Sequence, residues 1–460
     1  MPEINPPATT ATGDNRLWPI ATVMATAVFA TTLVQTQTLG YLPLNHLLKA
    51  LHLDSNQAAT FLSLAILPWS FKAFAGLLVD GVPLFGSRRR AYLLLSALTA
   101  AAMWLWMGLA PTDFNFLLAL AIGMNTAIVF GSTTAGGLLV EAGQRFGMSG
   151  RMSSLRVLAQ NLGAGLGGPL SGLLAEHTMN GRHPLFWTSA VAAAPLLCMF
   201  LCAWFLLKEP PLPPEPPHNR SFIEQHLHVL HSIWVQIKNV MRLEILFPAL
   251  LVFFIQAVPT FRSTCFYQYQ TGTLGYDDAQ LGWLGLAGYG VALLSSGVYA
   301  WACRWVPLRA SLYAAIILTS LSALPYLFYQ TYQPYLGRAV AIESVGTFFQ
   351  ILAYLPLFDL VVRCTPKGSE ALGYSLMIGV WNVGLMLGGK IGPTIYEHTL
   401  QPAMRAPAWF DPNVNACAIS AAIHRHEMNH LIWLNALVTL AGVVLVFLVP
   451  KALVEKREGK

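Results

Sequence analysis

Polar and apolar residues follow one another along this chain in long blocks rather than singly. Twelve mainly apolar segments begin near Leu17, Asn56, Ala91, Phe116, Leu155, Leu185, Leu246, Leu281, Ala310, Pro334, Leu372 and Asn429. Each runs for about 20 residues, the length at which an α-helix crosses a hydrocarbon layer roughly 30 Å thick. Short polar separators divide them, among them PTDFN at 111–115, HTMNGRHP at 177–184 and TLGYDDAQ at 273–280. The segments are continuously apolar, without the period-two alternation of a transmembrane strand. The pattern therefore predicts twelve membrane-crossing helices and argues against a β-barrel.

Composition supports that reading. Of 460 residues, 55% are hydrophobic and only 10% charged, whereas a soluble domain carries about a quarter charged residues. Mean hydropathy is +0.54. A soluble enzyme, a disordered chain and a nucleic-acid-binding domain are all disfavoured. The net charge of +6 is explained by where the charges fall. An even number of spans puts both termini on one side. With that side inward, eighteen lysines and arginines lie in inward loops and tails, and four (Lys49, Arg182, Arg405, Arg425) in outward loops. This bias follows the positive-inside rule, so the partner it implies is a lipid bilayer and not nucleic acid. The expected location is an inner or plasma membrane, multi-pass, with both termini cytoplasmic. The first sixteen residues lack the basic region and cleavage site of a signal peptide, so the first apolar segment is expected to be retained. The six cysteines show no spacing of a disulfide framework or zinc site, and no cofactor or metal is expected.

The organisation expected from these blocks is a tail over 1–16, a six-helix bundle over 17–207, a linker over 208–242, a second six-helix bundle over 243–450 and a tail over 451–460. The linker opens with the proline-rich KEPPLPPEPPHNR, which cannot continue a helix. After it, Ile223, Leu227, Leu230, Trp234, Ile237 and Met241 recur at three- and four-residue steps, predicting an amphipathic helix on the inner membrane face. An internal repeat supports two halves. NLGAGLGGPLSGLLAEHT, from Asn161, aligns without gaps on NVGLMLGGKIGPTIYEHT, from Asn382, and Val82-Pro83-Leu84 matches Val306-Pro307-Leu308. An all-α membrane protein of about twelve transmembrane helices in two duplicated six-helix bundles resembles the major facilitator superfamily. That plan implies a secondary transporter, not an enzyme, with alternating access to a substrate site near the midplane.

Charged residues inside spans are the next signal, because each costs roughly 2.5–3.5 kcal/mol or more at a helix centre. Lys72, Arg262, Arg338 and Lys390 are deep cations, while Arg156 lies near an inner helix end and is expected to snorkel or to pair with loop acids. Glu343 is the clearest deep acid, and Glu141 lies nearer an inner end. Cations in surplus suit a small anionic substrate, although each could instead hold helices together in a salt bridge. Trp69, Tyr289 and Trp381, with Asn382 beside the last, are candidates to stack on or hydrogen-bond a planar ring; packing against lipid or core is the alternative. Glu343 and, second, Glu141 are candidates for proton coupling, with sodium left open. In VDGVPLFGSRRR, over 79–90, Asp80 is placed to meet a helix end or cation, Gly86 to make the turn, and Arg88, Arg89 and Arg90 to bind carboxylates or lipid phosphates, a combination that reads as a gate. His426-Glu427-Met428-Asn429-His430 spells the H-E-x-x-H of zinc proteases, but at the mouth of a span with no room for a protease domain.

The stretch PWSFKAFAGLLVDGVPLFGSRRRAYLLL, over 68–95, resembles the folate–biopterin transporter family of the major facilitator superfamily, and TPKGSEALGYSLMIGVWNVG, over 365–384, is similar to the family's Pro-Lys-Gly-x-Glu-Ala loop and the helix after it. The resemblance implies import of folates, pterins or a related charged heterocycle, usually coupled to protons. The chain departs from the family pattern in having Lys72-Ala73 where Lys-Pro is usual, and Arg262 where an acid is common. Siderophore and muropeptide permeases share the arginine-rich loop and stay open as alternatives, as does export, which the Gly168-Pro169 and Gly172 of the fifth span loosely suggest.

Overall fold

The computed structural model describes residues 14–455 apart from 53–54, 110, 177–184, 210–233, 239–242, 259–264, 267–268, 271–273, 277, 330–331 and 396–415. Its elements are almost entirely helical. In chain order they are α1 (Asp14–Leu33), α2 (Tyr41–Ala50), α3 (Ser55–Ala65), a 3-10 turn (Leu67–Phe71), α4 (Lys72–Gly81), α5 (Arg90–Met107), α6 (Phe114–Arg145), α7 (Ser149–Glu176) and α8 (Phe186–Leu206). After the linker come α9 (Leu243–Ala257), α10 (Asp278–Ala302), α11 (Leu308–Ala323), α12 (Tyr332–Cys364), α13 (Glu370–Ile395), α14 (Ala416–Ala441), α15 (Val443–Leu448) and α16 (Lys451–Val454).

Among the described residues, nine stretches are long and apolar enough to cross a membrane, and Leu17–Leu33 and Ile245–Ala257 are shorter apolar helices. The 28-residue α7, rich in glycine and serine, accounts for the remaining predicted segment. Each of the twelve apolar blocks is thus helical. The amphipathic stretch of the linker lies mostly outside the described residues; only 234–238 is described, and it is helical.

Contacts divide the chain into two compact units that are not contiguous in sequence. The first takes in the described residues up to 238 together with Thr365–Ser375, and the second takes in the rest. In the first, α1, α5, α6, α7 and α8 pack around a core that includes Trp104, Phe61 and Met124. The buried Trp104 ring donates its Nε1 hydrogen to Val34 O at 3.1 Å, so this large side chain leaves no orphan donor. In the second, Phe266, Tyr326, Tyr329, Leu431 and Ile432 share an aromatic-rich core.

Two local features position functional side chains. The span Thr60–Gly81 is interrupted because Pro68, at the start of the 3-10 turn, has no N–H to continue the helix ladder. The interruption brings Trp69 and Lys72 onto the break, with Lys72 the first residue of α4. Between α4 and α5 the chain reverses through Phe85 (φ 49°) and Gly86 (φ 71°), closed by Leu84 N–H to Ser87 O at 3.0 Å and Ser87 N–H to Leu84 O at 2.9 Å. Positive φ at both central residues is the backbone of a type I′ turn, which glycine adopts freely and phenylalanine does not.

Candidate functional site

The first unit holds a buried cation in polar and aromatic surroundings. Lys72 is 3% exposed. Its ammonium donates to Ser132 Oγ of α6 at 2.8 Å and stands 5.2 Å from the centre of the Trp69 ring and 6.0 Å from that of Tyr374. The Trp69 indole N–H is held in turn by Asn125 Oδ1 at 3.1 Å, and Asn125 itself is fully buried. Among the described residues no carboxylate lies within ion-pair distance of Lys72. A hydroxyl and two ring faces stabilise the charge without neutralising it. Arg156, in the second turn of α7, has its guanidinium carbon 5.5 Å from the centre of the same Tyr374 ring. The Tyr374 ring rests on Gly136 of α6, where a Cβ would collide with it.

At the arginine-rich end of the same unit the charges interlock. Asp80, whose side chain is wholly buried, meets Arg89 Nη1 at 2.7 Å through Oδ1 and accepts the Leu372 backbone N–H at 2.7 Å through Oδ2. Leu372 lies in the first turn of α13, so Asp80 takes one of the donors that every helix start leaves without an intrahelical partner. Arg89 also reaches Glu370 Oε2 at 3.1 Å and approaches Glu141 at 4.0 Å, while Arg88 lies 3.5 Å from Glu370. Arg90 donates to Trp204 O at 2.8 Å and covers that indole ring at 5.1 Å. Gln144 adds a further tie, donating to Thr365 O at 2.7 Å. Glu209 was not foreseen. Its two oxygens accept the backbone N–H groups of Arg88, Arg89 and Arg90 at 2.7–2.8 Å, and the Ser87 hydroxyl at 2.9 Å, capping α5 with one side chain.

The second unit places Glu343 among hydroxyls. Tyr326 Oη donates to Oε2 at 2.8 Å, and Tyr329 Oη and Gln270 Nε2 donate to Oε1 at 3.2 and 3.3 Å. Phe266 stands edge-on to both tyrosine rings. A second carboxylate, Asp359, is buried and takes Arg363 Nε at 2.8 Å, Arg363 Nη2 at 3.2 Å and the Tyr299 hydroxyl at 3.1 Å.

The remaining sequence candidates are dispersed. Glu141, a coupling candidate, has its side chain 45% exposed and belongs with the arginine cluster. Trp381 packs edge-on against Tyr354 at 4.5 Å and stacks on Phe358 at 5.1 Å, an aromatic core arrangement. Arg338, Lys390, Asn382 and Tyr289 are exposed, and Arg262 lies outside the described residues. Of the H-E-x-x-H run, Glu427 is 1% exposed, on the buried side of α14, and cannot act as base on an open metal site. His426 and His430 meet edge-on, with His430 Nδ1 3.0 Å from His426 O. Sequence reasoning missed Glu209, Glu370 and Tyr374 as site residues. The nearest signal was the Glu370-Ala371 pair in the loop that resembles the family's, with Tyr374 one helical turn further on.

Comparisons with known proteins bear on the family and the fold. A folate-biopterin transporter of Synechocystis sp. (strain ATCC 27184 / PCC 6803 / Kazusa) is 28% identical over 342 residues, covering 72% of this chain and 66% of that protein. Folate transporter 1 of Plasmodium falciparum is 24% identical over 346 residues, covering 71% of this chain and 63% of its own length. The chain thus spans just under two thirds of the length of these relatives. Among solved structures, the major facilitator superfamily transporter FucP, in the outward conformation, matches with a TM-score of 0.63 at 13% identity, over 94% of this chain and 98% of that one. The proton:xylose symporter XylE matches at 0.62 and 12% identity, over 95% and 96%. At such identities these structures speak for the fold, which is that of the major facilitator superfamily. The sequence pattern of the BT1 family matches residues 34–460, and the chain belongs to that family of folate–biopterin transporters.

Proposed function

We propose that this protein is a secondary active transporter that imports an organic anion of the folate or pterin type by alternating access, with protons as the coupling ion. The observation that carries the reading is Lys72: a lysine 3% exposed in a membrane-spanning segment, with a hydroxyl and two aromatic rings around it and no acid partner among the described residues. A charge in that position is costly unless a ligand of opposite sign joins it. Flanking rings suit a flat heterocycle. The names borne by the relatives point to the same substrate class.

Asp80, Arg88, Arg89 and Arg90, turned by Gly86, form the gate with Glu370: Asp80, Arg88 and Arg89 dock Thr365–Ser375 in this state and release it in the other, while Arg90 anchors the turn on Trp204. Glu343, with donors already converging on both oxygens, is the coupling carboxylate, and the termini are cytoplasmic. The test is uptake of labelled folic acid and biopterin into proteoliposomes with an imposed pH gradient, acid outside. Flux above protein-free vesicles, abolished by a protonophore, is expected. An absence of flux together with an unmoved unfolding midpoint in the presence of either compound would overturn the reading.

A further inference from the structure

We propose that Arg156 is a second anion-binding residue, which with Lys72 forms a two-cation subsite, beside the Tyr374 ring that both approach, for the dicarboxylate end of a folate-type substrate. The inference rests on the proposed function and goes further, because it assigns which end of the substrate the first unit takes.

Three elements of that unit converge. Lys72 enters from the break before α4, Arg156 from the second turn of α7, and Tyr374 from the first turns of α13. The lysine nitrogen is 6.0 Å and the guanidinium carbon 5.5 Å from the centre of one aromatic ring. Two like charges brought to one ring in a membrane interior repel each other, and an anion bound between them removes that cost. The two heads also differ in the way a dicarboxylate would use. A guanidinium presents a planar fork that grips one carboxylate through two hydrogen bonds, whereas an ammonium is a point charge that serves a second carboxylate at variable angle. Ser132, already bound to Lys72, supplies a hydroxyl beside it. A pteridine without a carboxylate, such as biopterin, gains little from either cation. The subsite therefore sets selectivity between folates and simple pterins.

A purely structural role for Arg156, holding Tyr374 against Gly136, is the rival account, and ligand selectivity separates the two. Binding of folic acid, its α,γ-dimethyl ester and biopterin would be measured on the purified full-length protein by titration and by thermal unfolding. Wild type is expected to bind folic acid about tenfold or more tightly than the diester, and Arg156→Gln to weaken folic acid by at least about tenfold while leaving the diester and biopterin within about twofold. Arg156→Lys, which keeps the charge and loses the fork, should recover part of the loss. Equal binding of folic acid and diester by wild type would overturn the subsite. So would an equal weakening of all three ligands by Arg156→Gln with a lowered ligand-free midpoint. Binding of biopterin but not folic acid would overturn the subsite and leave a pterin transporter standing. Binding of none of the three would overturn the proposed function itself.

Discussion

At the scale of single residues, Lys72 and Glu343 are opposite cases of a charge within the apolar part of the chain. Lys72 is held by a hydroxyl and two rings, so Lys72→Ala removes a charge that has no acid to strand. Expression and unfolding midpoint should stay near wild type while uptake falls by about tenfold or more, and normal uptake by the variant would remove Lys72 from the site. Glu343 accepts from three donors, and Glu343→Gln keeps its shape but not its exchangeable proton. Uptake by that variant should no longer respond to an imposed pH gradient, while substrate counterflow persists; an unchanged response would end its coupling role. Glu209→Gln replaces an acceptor-only cap by a half-donor at the start of α5. A cost of about 0.5–2 kcal/mol, read as a lowered unfolding midpoint, is expected. Lys72 and Asp80 were legible in the sequence because a charge in an apolar run stands out. Glu209 and Glu370 were not, because a carboxylate in a polar loop has no such contrast and its role depends on a partner more than a hundred residues away.

At the scale of elements, the start of α13 contributes to both proposed sites, one helical turn apart. Glu370 faces Arg89, the Leu372 N–H meets Asp80, and Tyr374, four residues after Glu370, stands against Lys72 and Arg156. Residues four apart lie on one face of a helix, so Glu370 and Tyr374 are held rigidly to each other, and any shift of the one carries the other with it. This coupling depends on Gly136. Gly136→Val should displace Tyr374, lowering both the unfolding midpoint and uptake. Adding Tyr374→Ala should restore much of the midpoint but not the uptake, a non-additivity that shows the pair in contact. The broken helix over Thr60–Gly81 could be anticipated from Pro68, whereas the packing of Tyr374 on Gly136 could not, since both residue types are common in membrane helices for unrelated reasons.

At the scale of the whole molecule, hydropathy and the internal repeat carried the helix count and the fold, because a bilayer requires every span to be apolar and helical. They did not reveal that Thr365–Ser375 packs in the first compact unit, because a hydropathy pattern says that a segment is buried but not against what. The buried pair Asp80–Arg89 is central to that packing, and breaking one partner of such a pair costs roughly 3–5 kcal/mol. Asp80→Asn should therefore loosen the docked segment. In a background lacking the six native cysteines, a thiol introduced by Ser369→Cys, at a position 1% exposed, should be alkylated markedly faster in the Asp80→Asn variant. Equal rates would show that the pair does not hold the segment.

The discontinuity of the first unit also governs how the chain may be divided. The proline-rich spacer looks like the natural place to cut it into two co-expressed polypeptides. A fragment ending before Glu209 would lose the cap of α5, and any fragment ending in the spacer would leave Asp80 and Arg89 without Glu370 and the Leu372 N–H. Those buried charges are completed only by eleven residues encoded on the other side of the cut. The first half, translated and inserted on its own, is therefore an unfinished body, and the ribosome must travel well past the linker before the earliest-made helices reach their final electrostatic balance.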